Sequence, residues 1–315
     1  MNRWLRRTAL LLGSALLVTA GDVRPDTDPF AGQQLYRDPV SPAVVAARQD
    51  SRLAPIAAQP AARWFDYAEP DSSRPRVDTY VTAAAAANAL PVLVIYGVPH
   101  RDCGQFSAGG APTAAAYRAW VAAVAAAIGS RRAVVVVEPD ALANTGCLAP
   151  ELVNERLDLL RYAVDALSAP RITVYVDGGN AHWLPAAELA RRLRAVDVGR
   201  ARGFSVNVAN FYRTDDSRAY GDTVARLLSS PAHDVHYVVD TSRNGAGPPP
   251  DGPQSWCNPA DRRIGARPGP VRGAAYADAL LWVKPPGESD GACGRGEPAA
   301  GQWWPDYALS LVGAR

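Results

Sequence analysis

RRAVVVVEPDALAN, residues 131–144, is the stretch on which the reading of the fold turns. Four consecutive valines leave no face for water, so the run reads as a strand buried on both sides, as in a parallel sheet. Pro139 has no N–H to give a ladder; it ends the strand and leaves Asp140 at the carboxyl edge. Glu138 and Asp140, two positions apart, are expected on the same side of the pleat or its continuation. In parallel α/β folds that edge is where active sites are assembled, although a lone aspartate there equally caps a following helix.

Outward from this stretch, strand and helix patterns alternate. Strands are expected over 63–67, 91–98, 131–139, 172–178, 203–211, 236–241 and 279–284, and helices over 77–90, 113–128, 152–168, 185–195 and 217–229. Residues 21–60 read as a loop-like entry, and 245–270 as a glycine- and proline-rich excursion. Seven strands alternating with helices imply an α/β fold, a distorted parallel β/α barrel in a single domain. No G-x-G-x-x-G follows the first strand and no G-x-x-x-x-G-K-[ST] occurs, which argues against a nucleotide-binding sheet.

Residues 1–20 carry Arg3, Arg6 and Arg7, then a short apolar core and a small-residue end at Val18-Thr19-Ala20. This reads as a secretory signal peptide, with 21–315 as the catalytic domain; the apolar part is short for a membrane span. Its removal would take the formal charge from +2 to about −1. Such a nearly neutral chain has no basic block to track phosphates, so nucleic acid is not an expected partner. A secreted monomer without stable membrane association is expected. Four cysteines, Cys103, Cys147, Cys257 and Cys293, suit two disulfides in an exported chain, with three possible pairings. Cys103–Cys147 and Cys257–Cys293 are favoured because each would tie neighbouring loops at one end of the fold. No C-x-x-C occurs, the four histidines are scattered, and neither a metal nor a cofactor is expected.

The residues where the strands stop are Asp66, Tyr96 with Asp102, Glu138 with Asp140, Asp177, Asn207 with Asn210, Asp240, and Lys284 with Glu288 and Asp290. A barrel rim needs polar groups as caps, yet so many carboxylates on one end repel each other unless a substrate or a proton exploits them. Lys284 is the only lysine in a chain otherwise served by arginine, as if a compact ammonium were needed there. Trp64, Trp183 and Trp256 fall at the same rim, whereas Trp120 and Trp282 read as core. Indoles stack on the C–H faces of sugar rings while carboxylates take the hydroxyls. Two such acids can divide the work of glycoside hydrolysis.

These motifs resemble glycoside hydrolase family 6, the inverting β-1,4-glucanases that act on cellulose. The stretches that carry the resemblance are PHRDC (99–103), VVEPDALAN (136–144), YVDGGNAHWL (175–184), GFSVNVANF (203–211), DTSRNGAGP (240–248), WCNP (256–259) and LWVKPPGESDG (281–291). They run in order across almost the whole chain after residue 20, and the family fold is a distorted β/α barrel. The resemblance implies that Asp140 is the catalytic acid and that Asp102 raises its pKa and helps to relay a proton. It makes Asp290 the base or the stabiliser of an oxocarbenium-like transition state, and Tyr96 the ring that presses the reacting sugar out of its chair. It implies sugar binding by Lys284 and Glu288, stacking on Trp64, Trp256 and Trp183, and polar contacts from Asp177 and Asn207; Asp66 and Asn210, at strand ends on the same rim, are expected to bind sugar as well. Two positions depart from the family pattern. Ala108 stands where a serine is usual, with Ser107 beside it, and Asn180 stands where a histidine is usual. The loops between paired cysteines look short, so an open cleft and endo action on β-1,4-glucan are expected. The alternatives are a cellobiohydrolase of the same family, or a secreted glucan-binding protein weak in catalysis.

Overall fold

Every residue of the strand Ala133–Val137 is buried, and its alternation divides the interior in two. Ala133, Val135 and Val137 face outward and pack with the helices. Val134 and Val136 face inward with Val92, Val94, Tyr175, Val238 and Val283, filling the barrel. The computed structural model describes residues 28–231 and 233–314, so the expected signal segment 1–20 lies outside the described residues.

The chain forms β1 (Arg63–Asp66), β2 (Val92–Tyr96), β3 (Ala133–Val137), β4 (Ile172–Asp177), β5 (Gly203–Val206), β6 (His236–Asp240), β7 (Gly269–Pro270) and β8 (Ala277–Leu281). The sheet order is β1-β2-β3-β4-β5-β6-β8-β7. All neighbours are parallel except the two-residue β7, which runs antiparallel to β8 at the edge. Seven parallel strands match the expected number, and β7 is an eighth drawn from the proline-rich excursion. The sheet curls until its ends nearly meet. Ala62 N, just before β1, donates to Trp282 O just after β8 at 2.9 Å, and the Trp64 indole N–H donates to Val283 O at 2.8 Å.

The helices are α1 (Pro42–Ala47), α2 (Ala54–Ala57), α3 (Pro70–Ala86), α4 (Ala114–Ile128), α5 (Pro150–Leu167), α6 (Ala186–Ala195), α7 (Thr214–Leu228) and α8 (Pro305–Leu311). α4 starts where expected because Thr113 caps it, its side chain accepting from Ala116 N at 3.1 Å. α3 starts seven residues earlier than expected: Pro70 sits in its first turn, where the missing N–H costs nothing, and Pro75 is carried inside the helix. The segment expected to be an irregular entry contains α1 and α2, both short. Trp120 and Trp282 are core, as expected.

Candidate active site

The exits of β3, β4 and β6 are each held by a buried carboxylate that does not line the cleft. Glu138 has φ +50°, so the chain leaves the pleat one residue after β3. Its buried carboxylate accepts from Gly97 N at 3.0 and 2.9 Å and from Val98 N at 3.0 Å, locking the exit of β3 to that of β2. Burial raises its pKa to about 7. Asp240 does the same between β5, β6 and β8, accepting from Ala209 N, Ser242 N and Lys284 N. Asp177, fully buried at the end of β4, accepts from Asp140 N at 2.9 Å, Gly179 N at 3.0 Å and Ser205 Oγ at 3.0 Å. Asn207 is buried too, donating to Asp240 O and Tyr212 O and accepting from Tyr212 N. The expectation that Asp177 and Asn207 touch sugar is therefore corrected: both stand behind the cleft, their polar atoms engaged by the backbone that shapes it. The expected pleat relation of Glu138 and Asp140 is corrected as well. With both residues at positive φ, the turn sends Glu138 inward and brings Asp140 to the opening.

That opening is a cleft of ≈ 890 Å³. Asp140, Tyr96, Asp102 and Asp290 line it, together with Trp64, Asp66, Trp183, Asn210, Trp256, Lys284 and Glu288. The Asp140 carboxyl has no hydrogen-bond partner among the described residues. Its pKa lies well above the carboxylate range, first through burial, then through the charges of Asp177, Asp102 and Asp290 in that order. Asp177 is raised as well, again mainly by burial, but its three donors favour its ionised form. Of this tightly coupled pair, Asp140 therefore holds the proton. Asp102 contributes the like-charge effect expected of it, though behind burial and Asp177.

Asp102 sits in a strained turn (φ +54°) whose fixity comes from neighbours. Its Oδ2 accepts from Ser107 N at 2.7 Å, and Cys103 is bonded to Cys147 on the loop after Asp140. Arg101 ties the turn down, donating to Tyr96 O at 2.6 Å, Ser107 O at 2.8 Å and Ala108 O at 3.3 Å, with its guanidinium 4.4 Å from the Tyr96 ring centre. Tyr96 meets Trp64 edge to face at 5.1 Å, and its hydroxyl is pushed far above its ordinary pKa by burial and by Asp140 and Asp102. It stays a neutral donor.

Opposite, Asp290 Oδ2 accepts from Arg243 Nη1 at 2.9 Å and from Asn258 N at 3.0 Å. Arg243 is completely buried, anchored on Ala209 O and against the Phe211 ring. Asn258 is set by the second disulfide, Cys257–Cys293. Lys284 Nζ donates to Ser289 O at 3.1 Å, lies 3.9 Å from Glu288 and sits 5.6 Å from the Trp64 ring centre. Burial raises Glu288 to about 7 against the pull of Lys284 and Arg243.

Sequence reasoning missed Arg101, Arg156 and Arg243. In so arginine-rich a chain nothing singles them out, yet Arg156 is buried and binds the carbonyls of Pro99, His100 and Ala141, joining the Asp102 and Asp140 loops. It also missed Trp303, Phe106 and the stacked pair His182–Tyr212, all of which line the cleft. Phe106 packs at 5.8 Å against Trp256, so the two disulfide-tied loops, read as too short to form a roof, touch. No group of three or more potential metal ligands exists among the described residues.

The sequence model of the family described as "Glycosyl hydrolases family 6" matches residues 30–315. "Endoglucanase 1" of Streptomyces halstedii is 41% identical over 289 residues, covering 88% of each chain. The "probable 1,4-beta-D-glucan cellobiohydrolase C" of Neosartorya fischeri is 30% identical, covering 90% of this chain and 78% of that one. Among solved structures, the endoglucanase Cel6 from Mycobacterium tuberculosis, in complex with methyl-cellobiosyl-4-deoxy-4-thio-β-D-cellobioside, superposes with a TM-score of 0.88. It is 50% identical and covers 91% of this chain and 99% of its own.

Proposed function

The chain belongs to glycosyl hydrolase family 6 and is a glycoside hydrolase of cellulase type, and from that premise we propose a secreted, inverting endo-β-1,4-glucanase that cuts within chains of cellulose or soluble β-glucan. The observation that carries the reading is a carboxyl, Asp140, kept protonated at the opening of a cleft flanked by indoles. In the reaction Asp140 gives its proton to the departing sugar oxygen as the C–O bond breaks. A water adds to the anomeric carbon from the other face and loses a proton, which restores the balance. Tyr96, wedged beneath Trp64 and Arg101, distorts the reacting ring. Asp290, held in place by Arg243 and Asn258 N, stabilises the oxocarbenium-like centre. With alanine at 108, Ser107 Oγ beside Asp102 is the hydroxyl left to orient the water toward the Asp102 relay. Trp64, Trp256 and Trp183 carry the sugar rings, and Asp66, Asn210, Lys284 and Glu288 their hydroxyls.

The nearer relatives support endo action, and the cellobiosyl ligand of the solved structure supports a β-1,4-linked substrate. Residues 1–20 act as the export signal and 21–315 as one catalytic domain, working as a monomer without cofactor. None of the described helices is long and apolar enough to cross a membrane. A second reading, exo action, draws on the Phe106–Trp256 contact and the cellobiohydrolase relative. The test is carboxymethylcellulose. Viscosity falling steeply with few new reducing ends is the expected result; cellobiose release without that fall would establish exo action, and no hydrolysis at all would leave a glucan-binding protein.

A further inference from the structure

We propose that Arg156 is a positioning residue of the reaction: from α5, behind the wall of the cleft, its guanidinium sets where the Asp102 turn stands relative to Asp140. The inference rests on the glucanase reading above, in which Asp140 is the acid. Arg156 does not line the cleft and is only 3% exposed, so whatever it does for the reaction passes through its partners.

Those partners follow from the way β2 and β3 end. The strands pair as far as Ile95 and Val137, and Glu138 N, donating to Ile95 O at 2.9 Å, closes the ladder. Beyond it two buried ionisable side chains take over. The Glu138 carboxylate accepts from Gly97 N and Val98 N. The Arg156 guanidinium takes the next two positions, its Nη2 donating to Pro99 O at 2.8 Å and to His100 O at 3.0 Å. Its Nη1 donates to Ala141 O at 3.1 Å, on the other loop. One planar group thus grips both loops next to their carboxyls, since His100 lies two residues before Asp102 and Ala141 directly after Asp140. Neither path would hold itself. His100 and Asp102 have φ of +56° and +54°, and Glu138 and Asp140 of +50° and +69°, left-handed conformations that such residues keep only where their surroundings impose them. A lysine ammonium, a point charge, does not reproduce the fork that reaches three carbonyls. Burial raises Glu138 and lowers Arg156, and each charge opposes the shift in the other. The charges that face Asp140 are those of Asp177, Asp102 and Asp290, with the Tyr96 hydroxyl neutral beside them; Arg156 is not one of them. Replacing the arginine therefore acts on Asp140 by moving Asp102, not by removing a charge.

The test is Arg156→Lys, which keeps a buried cation to answer Glu138, and with it the fold, but loses the fork. On cello-oligosaccharides its kcat is expected to fall roughly 10–100-fold with KM nearly unchanged. The alkaline limb of its kcat/KM profile should move to lower pH, because Asp102 no longer stands where its charge keeps the proton on Asp140. In an Asp102→Asn background, where no charge is left to position, the same replacement should leave the limb where Asp102→Asn alone puts it. Arg156→Gln, neutral but with a planar amide donor, carries the same test should the lysine variant not fold. A variant that melts earlier yet keeps the kcat and the alkaline limb of the unaltered enzyme, or that shifts the limb equally in both backgrounds, would overturn the positioning role and leave the glucanase reading standing. If the unaltered enzyme cuts no cello-oligosaccharide at all, both fall.

Discussion

At the scale of single residues, the site depends on which carboxyl lacks donors. Asp177 has three and Asp140 has none among the described residues, so the proton settles where it can be passed on. Asp140→Asn is therefore expected to cut turnover on unactivated glucan by roughly 10²–10⁴ while substrate binding persists, as stopped assays and calorimetric binding would show. The same substitution should stabilise the fold. A carboxyl whose pKa is raised on folding is ionised more readily in the unfolded chain, so stability falls as pH climbs from the ordinary carboxyl value toward the raised one. Thermal midpoints of Asp140→Asn should thus exceed those of the unaltered protein at neutral pH and converge with them in acid; equal midpoints at neutral pH would contradict the assigned ionisation. Because activity requires the protonated acid, it should be lost on the alkaline side. Asp177→Asn, which keeps an acceptor but removes the largest like charge, should move that alkaline limb to lower pH without abolishing turnover. The position of Asp140 was legible in the sequence, since Val-Val-Glu-Pro-Asp places it at a strand exit. What sequence could not sort was the duty of each acid: Glu138, Asp177 and Asp240 look identical to Asp140 until the backbone amides that surround them are known.

The loop between β2 and α4 shows what an element must do to hold a left-handed turn at the edge of the cleft. It leaves β2, makes a left-handed turn through Asp102 and Cys103, and comes back onto its own start, Ala111 N donating to Gly97 O at 2.7 Å. The return is possible because residue 110 is glycine: φ is +92°, and a Cβ there would lie 2.0 Å from Val98 O. Gly110→Ala is expected to lower kcat more than it lowers the thermal midpoint, because the loop and not the barrel must shift. A variant that melts early but is fully active when folded would show that this return does not position Asp102. Strand and helix order was legible because buried parallel strands are written as unbroken apolar runs, Val92–Tyr96 and Ala133–Val137 above all. The short elements were not legible. α1, α2 and α8 each begin with proline in the first turn and have too few residues to show a period, and β7 is a two-residue pairing imposed by β8.

Across the whole molecule, the working face is assembled from loops that two covalent ties hold to each other, and among the described residues no cysteine is left free. Replacing Cys103 and Cys147 by serine opens a connection of 44 residues and should cost about 2–4 kcal/mol of stability, read as a lowered denaturation midpoint, with a larger proportional loss of activity. An unchanged midpoint would mean that Arg101 and Arg156 hold the loops unaided. The same economy of residue types shapes how the molecule can be handled. Lys284 is the only lysine in the sequence, and it lies in the cleft beside Trp64 and Glu288. Acylating dyes, aldehyde fixatives and activated resins therefore have one side-chain amine in the whole sequence to find, and it is only 7% exposed, at the wall of the cleft. Attachment by such chemistry would go through the amino terminus or would block the enzyme, and protection by cello-oligosaccharide during labelling would tell the two apart.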